Sequence, residues 1–210
     1  MTATTTRHEG AWRKLVNISA DRKGSIHDDE PARKLGFQGA FVPGSTVGTA
    51  AMPAIVALLG QRWFEGGWCN FKFVTPVYTS DDVREEADSH DDGRLDIRVV
   101  TSEGRLCCSG QAGLGFDVPW DASRDGTQGA DRVLPGVDIG TRFDEADMTA
   151  TAAWSANMLR AGGDTTPWYV TSSPWGRPVA PPETMHNLAL QVTRSRSITL
   201  SGVRNPGMWA

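Results

Sequence analysis

Cysteine is scarce in this chain, with three among 210 residues, and two of them, Cys107 and Cys108, are adjacent. Neighbouring residues of a strand point to opposite faces, so that pair is badly placed for a mutual disulfide or a shared metal, and an odd count excludes a fully paired framework. Reduced, structural thiols are the expectation. Basic runs are missing too, and the net charge is −4. Holding nucleic-acid phosphates needs clustered Lys and Arg, so a nucleic-acid partner is excluded. Nor is there a long apolar run, because the stretch from Val42 to Leu59 is interrupted by Gly44, Ser45, Thr46, Gly48, Thr49 and Pro53. Such a segment is too polar for a bilayer span, and no membrane partner is expected. The opening residues MTATTTRHEG lack the apolar core of a signal peptide, which makes the cytoplasm the expected compartment. The spacings HxH, CxxC and HExxH do not occur, and neither does GxxxxGK followed by Ser or Thr, so neither a metal nor a cofactor is expected.

The residues that are present change period along the chain. Residues 1–10 read as a disordered tail, and AWRKLVNIS as a short strand with Trp12, Leu15 or Val16, and Ile18 on its buried side. Residues 28–35 suit one or two helical turns. GSTVGTAAMPAIVALLGQR, residues 44–62, is small, apolar and nearly free of charge, as a helix buried on most of its surface would be, with a kink expected at Pro53. WCNFKFVTPVY, DDVREEADSH, GRLDIRVVTSEG and RLCCSGQAGLGF follow as strand-length runs, with DDG and SEG as hairpin turns. An antiparallel sheet wrapped around one central helix, an α+β arrangement, accounts for this order. Residues 117–133 are polar and rich in Gly and Asp, a linker between domains at 11–116 and 134–210. Beyond it FDEADMTATAAWSANMLRAGG reads as a helix with an acidic first turn and terminal glycines. A loop, a glycine turn and a helix entered through Pro181 and Pro182 come next.

IHDDEPARKLGFQGAFVPG, then a buried helix, then FKFVTPVY, resembles the MaoC-like (R)-specific enoyl-CoA hydratases and dehydratases of the hotdog fold. Their pattern S-G-D-x-N-P-I-H-x-D-x-x-A precedes a G-F-x-G turn, a histidine and glycine open the central helix, and F-x-x-P-V-Y begins the next strand. His27, Asp29, Ala32, Gly36, Phe37, Gly39, Gly44, Phe73, Pro76, Val77 and Tyr78 fall in matching places. AGGDTTPWYVTSSPWGRPVAPPETM resembles the opening of a second such domain, with Asp164 at the aspartate position and Tyr169 in place of the histidine. The resemblance therefore implies a double hotdog whose second repeat is partial. Either that repeat is a remnant that packs against the first or a partner chain completes its sheet, and because an exposed sheet edge recruits other chains a homodimer or a heteromer is expected.

What the resemblance implies chemically is addition of water to a trans-2-enoyl thioester, or the reverse. His27 is the candidate base or acid, and histidine suits that work near neutral pH. Asp21 matches the orienting carboxylate if the loop absorbs one extra residue between it and His27; otherwise Asp28 or Asp29 takes its place. Asp28 and Asp29 are equally good caps for the helical turn that follows. Gly44 would offer its N–H to the thioester oxygen at the positive end of the helix, flanked by Pro43, which replaces the family's histidine, and Ser45. Asp164 and Tyr169 are the second repeat's substrate-binding candidates, with a loop-forming role the alternative for Asp164. Two further readings stand beside this one. A hotdog thioesterase would need a carboxylate on the equivalent helix, where Glu183 is the candidate, and a catalytically silent subunit would bind a ligand or support a partner. His8, His90 and His186 carry no assigned role. Trp63, Trp68, Trp154, Trp168, Trp175 and Trp209 are expected in core or interface, one or two of them lining an acyl slot.

Overall fold

A computed structural model describes residues 6–115, 151–171 and 173–184. Chain order is β1 (Arg7–Glu9), α1 (Asp29–Lys34), α2 (Gly44–Leu59), α3 (Gln61–Gly66), β2 (Gly67–Phe73), β3 (Val83–Ser89), β4 (Leu95–Thr101), β5 (Leu106–Leu114) and α4 (Ala152–Gly162). The strands form one sheet in the order β1-β3-β4-β5-β2, antiparallel throughout.

Strand β4 shows why the sheet has one dry face. Leu95, Ile97, Val99 and Thr101 are buried while the residues between them are not, the period of two that a half-buried strand requires. Its partner β3 sets Val83, Glu85 and Ala87 on the same face, opposite Thr101, Val99 and Ile97. Helix α2 lies against that face, and Val47, Ala50, Ala51, Met52, Ala54 and Ile55 join Leu95, Ile97, Val99 and Ala112 in a single core. Both expected hairpin glycines sit at the turns, Gly93 with φ 80° and Gly104 with φ 81°, a backbone region that favours glycine.

Several expectations need correction. AWRKLVNIS does not form a strand; it touches the sheet at one bridge, Arg13 to Val83, and then leaves. Trp12 stands 45% exposed beneath the Arg84 guanidinium, Val16 is also exposed, and Leu15 alone of the candidates is fully buried. The extra strand comes instead from the supposed tail: Arg7–Glu9 pairs with Glu86–Asp88, held by ion pairs from Arg7 to Glu86 and Asp88. Charge complementarity, not apolar content, makes that edge. The helix over residues 44–62 is two helices, since Gly60 adopts φ 58° between them. Cys107 and Cys108 are both fully buried and free, and the register with β4 shifts beside them at Val99 and Val100. Helix α4 begins at Ala152, with the Thr151 side chain accepting from the Trp154 N–H, and ends at left-handed Gly163. The linker at 117–133, the acidic turn before Ala152, His186 and Trp209 lie outside the described residues.

The second-repeat segment is locked to the first. Gly162 comes so close to α2 that an added Cβ would stand 2.4 Å from the Thr49 side chain. The Val16 N–H donates to the Ala161 carbonyl at 3.0 Å. Arg13 bridges three elements, donating to Gly162 O at 3.1 Å, to Ala50 O at 2.6 Å and to Glu85 on β3 at 2.5 Å. Pro53, which has no N–H for the Thr49 carbonyl, leaves α2 continuous, and the next carbonyl along receives that guanidinium.

Candidate active site

The candidate side chains fall into two groups, one in the loop that precedes α2 and one in the segment after α4. His27 sits in a loop of successive turns running from Asn17 to Asp28. Asn17 Nδ2 donates to the His27 carbonyl at 3.0 Å and the His27 N–H donates to Ser25 Oγ at 3.2 Å, so the backbone carrying the ring is held on both sides. The half-buried imidazole places Nδ1 2.8 Å from the Phe41 carbonyl and meets the Phe41 ring edge-on at 5.3 Å. A carbonyl can only accept, so the neutral ring carries its proton on Nδ1 and leaves the Nε2 lone pair available as a base. Burial moves the imidazole pKa below 6.5; the Phe41 carbonyl opposes that shift and the Arg22 charge adds to it. At neutral pH the ring is therefore an uncharged base.

Phe41 lies three residues before the start of α2, and that approach is fixed from two directions. The Val42 N–H donates to Val77 O at 2.8 Å, tying the loop to the Pro76-Val77-Tyr78 segment, and Tyr78 Oη accepts from the Gln38 N–H at 3.3 Å. The Phe73 ring rests on Gly44, where an added Cβ would stand 3.1 Å from it. Pro43 is the residue before the helix, and its carbonyl accepts from the Thr46 and Val47 N–H groups. The Gly44 and Ser45 N–H groups precede the first intrahelical bonds, so they are donors at the positive end of the helix.

The candidate carboxylates divide differently. Asp21 is exposed, and its carbonyl closes a turn with the Lys23 N–H. Asp28 precedes α1 without capping it and accepts instead from the Gly24 N–H at 3.2 Å. Asp29 Oδ1 accepts from the Ala40 N–H at 2.8 Å while Oδ2 meets Arg33 at 3.5 Å, so this carboxylate staples α1 to the turn before α2. Gly39 is required in that turn, since a Cβ there would stand 2.8 Å from Asp29 Oδ1. The orienting contact of the imidazole is thus a backbone carbonyl.

The second group comes from the residues after α4. Asp164 Oδ1 accepts from the Thr166 N–H at 2.8 Å, shaping the turn that enters the 3-10 helix Pro167–Tyr169. Asp164 and Tyr169 are 5% and 4% exposed, and Glu183, in the helical turn entered through Pro181 and Pro182, is 6% exposed. Burial raises the titration of Tyr169, Glu183 and Cys69 on β2, with Asp164 adding to the first two and Glu183 to the third, while Thr49 on α2 opposes the shift of Glu183. Spacing within the second motif pointed to Asp164 and Tyr169. Arg13 and Thr49 carry no sequence signal, because only the packing of α4 on α2 brings them to Gly162.

Burial lifts the Glu183 carboxyl to about 7, with Asp164 adding to the shift and Thr49 opposing it. A group raised above its ordinary value of 4.5 stabilises the fold fully below that pH, and the contribution is lost as the pH rises through about 7. Glu183→Gln stays neutral. Its thermal midpoint is expected to exceed that of the wild type at pH 8, with the gap closing at pH 5; a gap that ignores pH between those values would show that Glu183 titrates normally.

His90 lies in the first hairpin turn and pairs with Asp96 at 2.8 Å, and His8 on β1 approaches Glu85 at 3.8 Å. Among the described residues no helix is long and apolar enough to cross a membrane. No group of three or more His, Cys, Asp and Glu there has the arrangement to hold a metal.

No family model matches the sequence, and no curated protein matches it. Solved structures do. A MaoC domain protein from Chloroflexus aurantiacus J-10-fl, described as a dehydratase, superposes with a TM-score of 0.64 at 13% identity, covering 94% of this chain and 72% of that one. A conserved protein of Mycobacterium tuberculosis described as having a double hotdog fold gives 0.51 at 18% identity, over 85% of this chain and 67% of the other. Likeness at such identities is a likeness of fold, and with the five-stranded antiparallel sheet around α2 it establishes the hotdog fold for this chain.

Proposed function

We propose that the chain is a hydro-lyase, a MaoC-like hydratase or dehydratase that acts on an α,β-unsaturated acyl thioester or a related unsaturated metabolite. The observation that carries this reading is the His27 Nδ1 contact with the carbonyl of Phe41, three residues before the α2 amino terminus, which leaves Nε2 as a neutral base. In the hydration direction Nε2 takes a proton from water as the hydroxyl oxygen bonds to the β-carbon. The π electrons move onto the thioester oxygen, where the Gly44 and Ser45 N–H groups stabilise the enolate. The imidazolium then returns a proton to the α-carbon, so water is added overall. The roles of Pro43, in ending the loop, and of Asp28 and Asp29, in holding it, are positional.

The test is turnover of short trans-2-enoyl thioesters and of the matching 3-hydroxyacyl thioesters across pH. Activity is expected to rise with pH through an inflection below 6.5 and to be flat through neutrality, because the base must be unprotonated. Absence of turnover in both directions across that panel would end the assignment.

One observation favours a second reading, a catalytically silent subunit that binds ligand or supports a partner chain: the Asp21 side chain is exposed and does not engage His27. That reading expects activity or gained stability only with a co-expressed hotdog partner.

A further inference from the structure

The contact with the Phe41 carbonyl fixes one nitrogen of the His27 ring, and a ring pinned at one point can still swing about it. The rest of the constraint has to come through the main chain that carries the ring, and that chain belongs to neither helix nor strand. The turns from Asn17 to Asp28 close on partners two or three residues away: the Ala20 N–H on the Asn17 carbonyl, Arg22 on Ser19, Lys23 on Asp21, Ser25 on Arg22 and Asp28 on Ser25. Bonds so short in sequence shape each turn without tying it to the body of the molecule. The Asn17 side chain supplies that tie. Its Nδ2 donates to the His27 carbonyl at 3.0 Å, ten residues along the chain, and its Oδ1 accepts from the Ser19 N–H at 3.0 Å. A carbonyl only accepts and an N–H only donates, so these two partners fix which way round the amide lies. Its footing is firm: Leu15 and Ser19 are buried on either side, and the Val16 N–H donates to the Ala161 carbonyl of α4 at 3.0 Å.

We infer that Asn17 is a positioning residue for His27: by donating to the His27 carbonyl, its amide holds the imidazole so that Nδ1 meets Phe41 and Nε2 is the nitrogen left to act. The inference rests on the reading of His27 as the base. With the main-chain carbonyl held on one side of the residue and Nδ1 on the other, the side-chain rotamer is set, and the direction of Nε2 with it. Few side chains could replace Asn17. Aspartate would accept from Ser19 but has no proton to give a carbonyl at neutral pH; serine would accept from Ser19 but stops short of His27; alanine does neither. Loss of the long bond frees the loop to carry the ring away from Phe41. Because Val16 is bonded to α4, the seat of α4 on the sheet and central helix is the ground on which this amide stands.

Nitrogen NMR of the full chain with labelled histidines reads the ring directly, the His27 signals being those that vanish in His27→Gln. The neutral wild-type ring is expected to carry its proton on Nδ1. Asn17→Ser and Asn17→Ala are both expected to show a mixture of the two tautomers, with the titration midpoint moved up toward 6.5 as the burial that depresses it is relaxed. Asn17→Ser keeps an acceptor for the Ser19 N–H, so its thermal midpoint should stay near that of wild type while the ring signature changes. On a thioester substrate its kcat should fall by about tenfold to 10²-fold with KM little altered, as a displaced catalytic group requires. An unchanged Nδ1 tautomer in both variants, or wild-type kcat in Asn17→Ser, overturns the inference. So does a wild-type ring signature in Asn17→Ser alone, which would place the role of Asn17 in the Ser19 turn. Failure of both variants to fold overturns it as well, by making Asn17 a residue of the fold at large. The ring spectra need no substrate, so a wild-type protein without turnover would end the hydration reading while the spectra still decide whether Asn17 sets the ring.

Discussion

His27→Ala is expected to lower kcat for enoyl-thioester hydration by about 10²–10⁴, the usual contribution of a positioned acid or base, with KM changed little. The separation of kcat from KM is informative because the role proposed for His27 is proton transfer with water and not contact with the acyl chain. Thermal stability should change little in comparison: the ring is only half-buried, and the loop beneath it is held by the Asn17 and Ser25 contacts to the His27 backbone, which alanine preserves. His27→Gln is the companion variant. Its amide can donate to the Phe41 carbonyl but offers no basic nitrogen, so it should be as inactive as alanine. Steady-state rates with purified variants check both, and wild-type rates in either would remove His27 from the chemistry.

Much of this arrangement was legible in the sequence, and what was missed has identifiable causes. LDIRVVT could be placed because its alternation is created by one buried face. The loop between His27 and α2 was legible through spaced glycines: Gly39 answers to the Asp29 carboxylate and Gly44 to the Phe73 ring, contacts that admit no larger residue without displacement. Arg7–Glu9 was not legible, as a strand held by cross-strand ion pairs has no apolar signature. AWRKLVNIS misled because its apolar residues serve separate purposes, Leu15 in the core and Trp12 under a guanidinium. The orienting partner of His27 was sought among carboxylates, but the extra residue lets Asp21 turn outward, and a backbone carbonyl, which has no sequence signature, takes that place. The burial of Asp164, Tyr169 and Glu183 depends on how the segment from α4 onward packs on α2, which that segment does not encode alone.

Arg13→Ala carries the largest expected effect on stability, a loss of about 3–5 kcal/mol, the range for removing one partner from a buried ion pair. Glu85, 2% exposed on the core face of β3, would keep its charge with only His8 at 3.8 Å in reach, and the carbonyls of Ala50 and Gly162 would lose their shared donor. Urea unfolding followed by tryptophan fluorescence measures this. Adding Glu85→Gln should recover part of the deficit by neutralising the stranded carboxylate, whereas an unchanged midpoint in the single variant would show that the guanidinium bears no such weight. Lysine should rescue poorly, since it lacks the planar fork that reaches three acceptors at once.

The contact of Gly162 with Thr49 and the bond from Val16 to Ala161 mean that α4 and the residues after it are not a cassette separable from the sheet and helix before them. A gene truncated after residue 115 would strip the cover from one flank of the central helix and leave the Arg13 guanidinium without its Gly162 acceptor, so the excised piece should precipitate or seek a surrogate for the missing segment. Shuffling such halves between homologous genes would have to exchange both sides of that seam together.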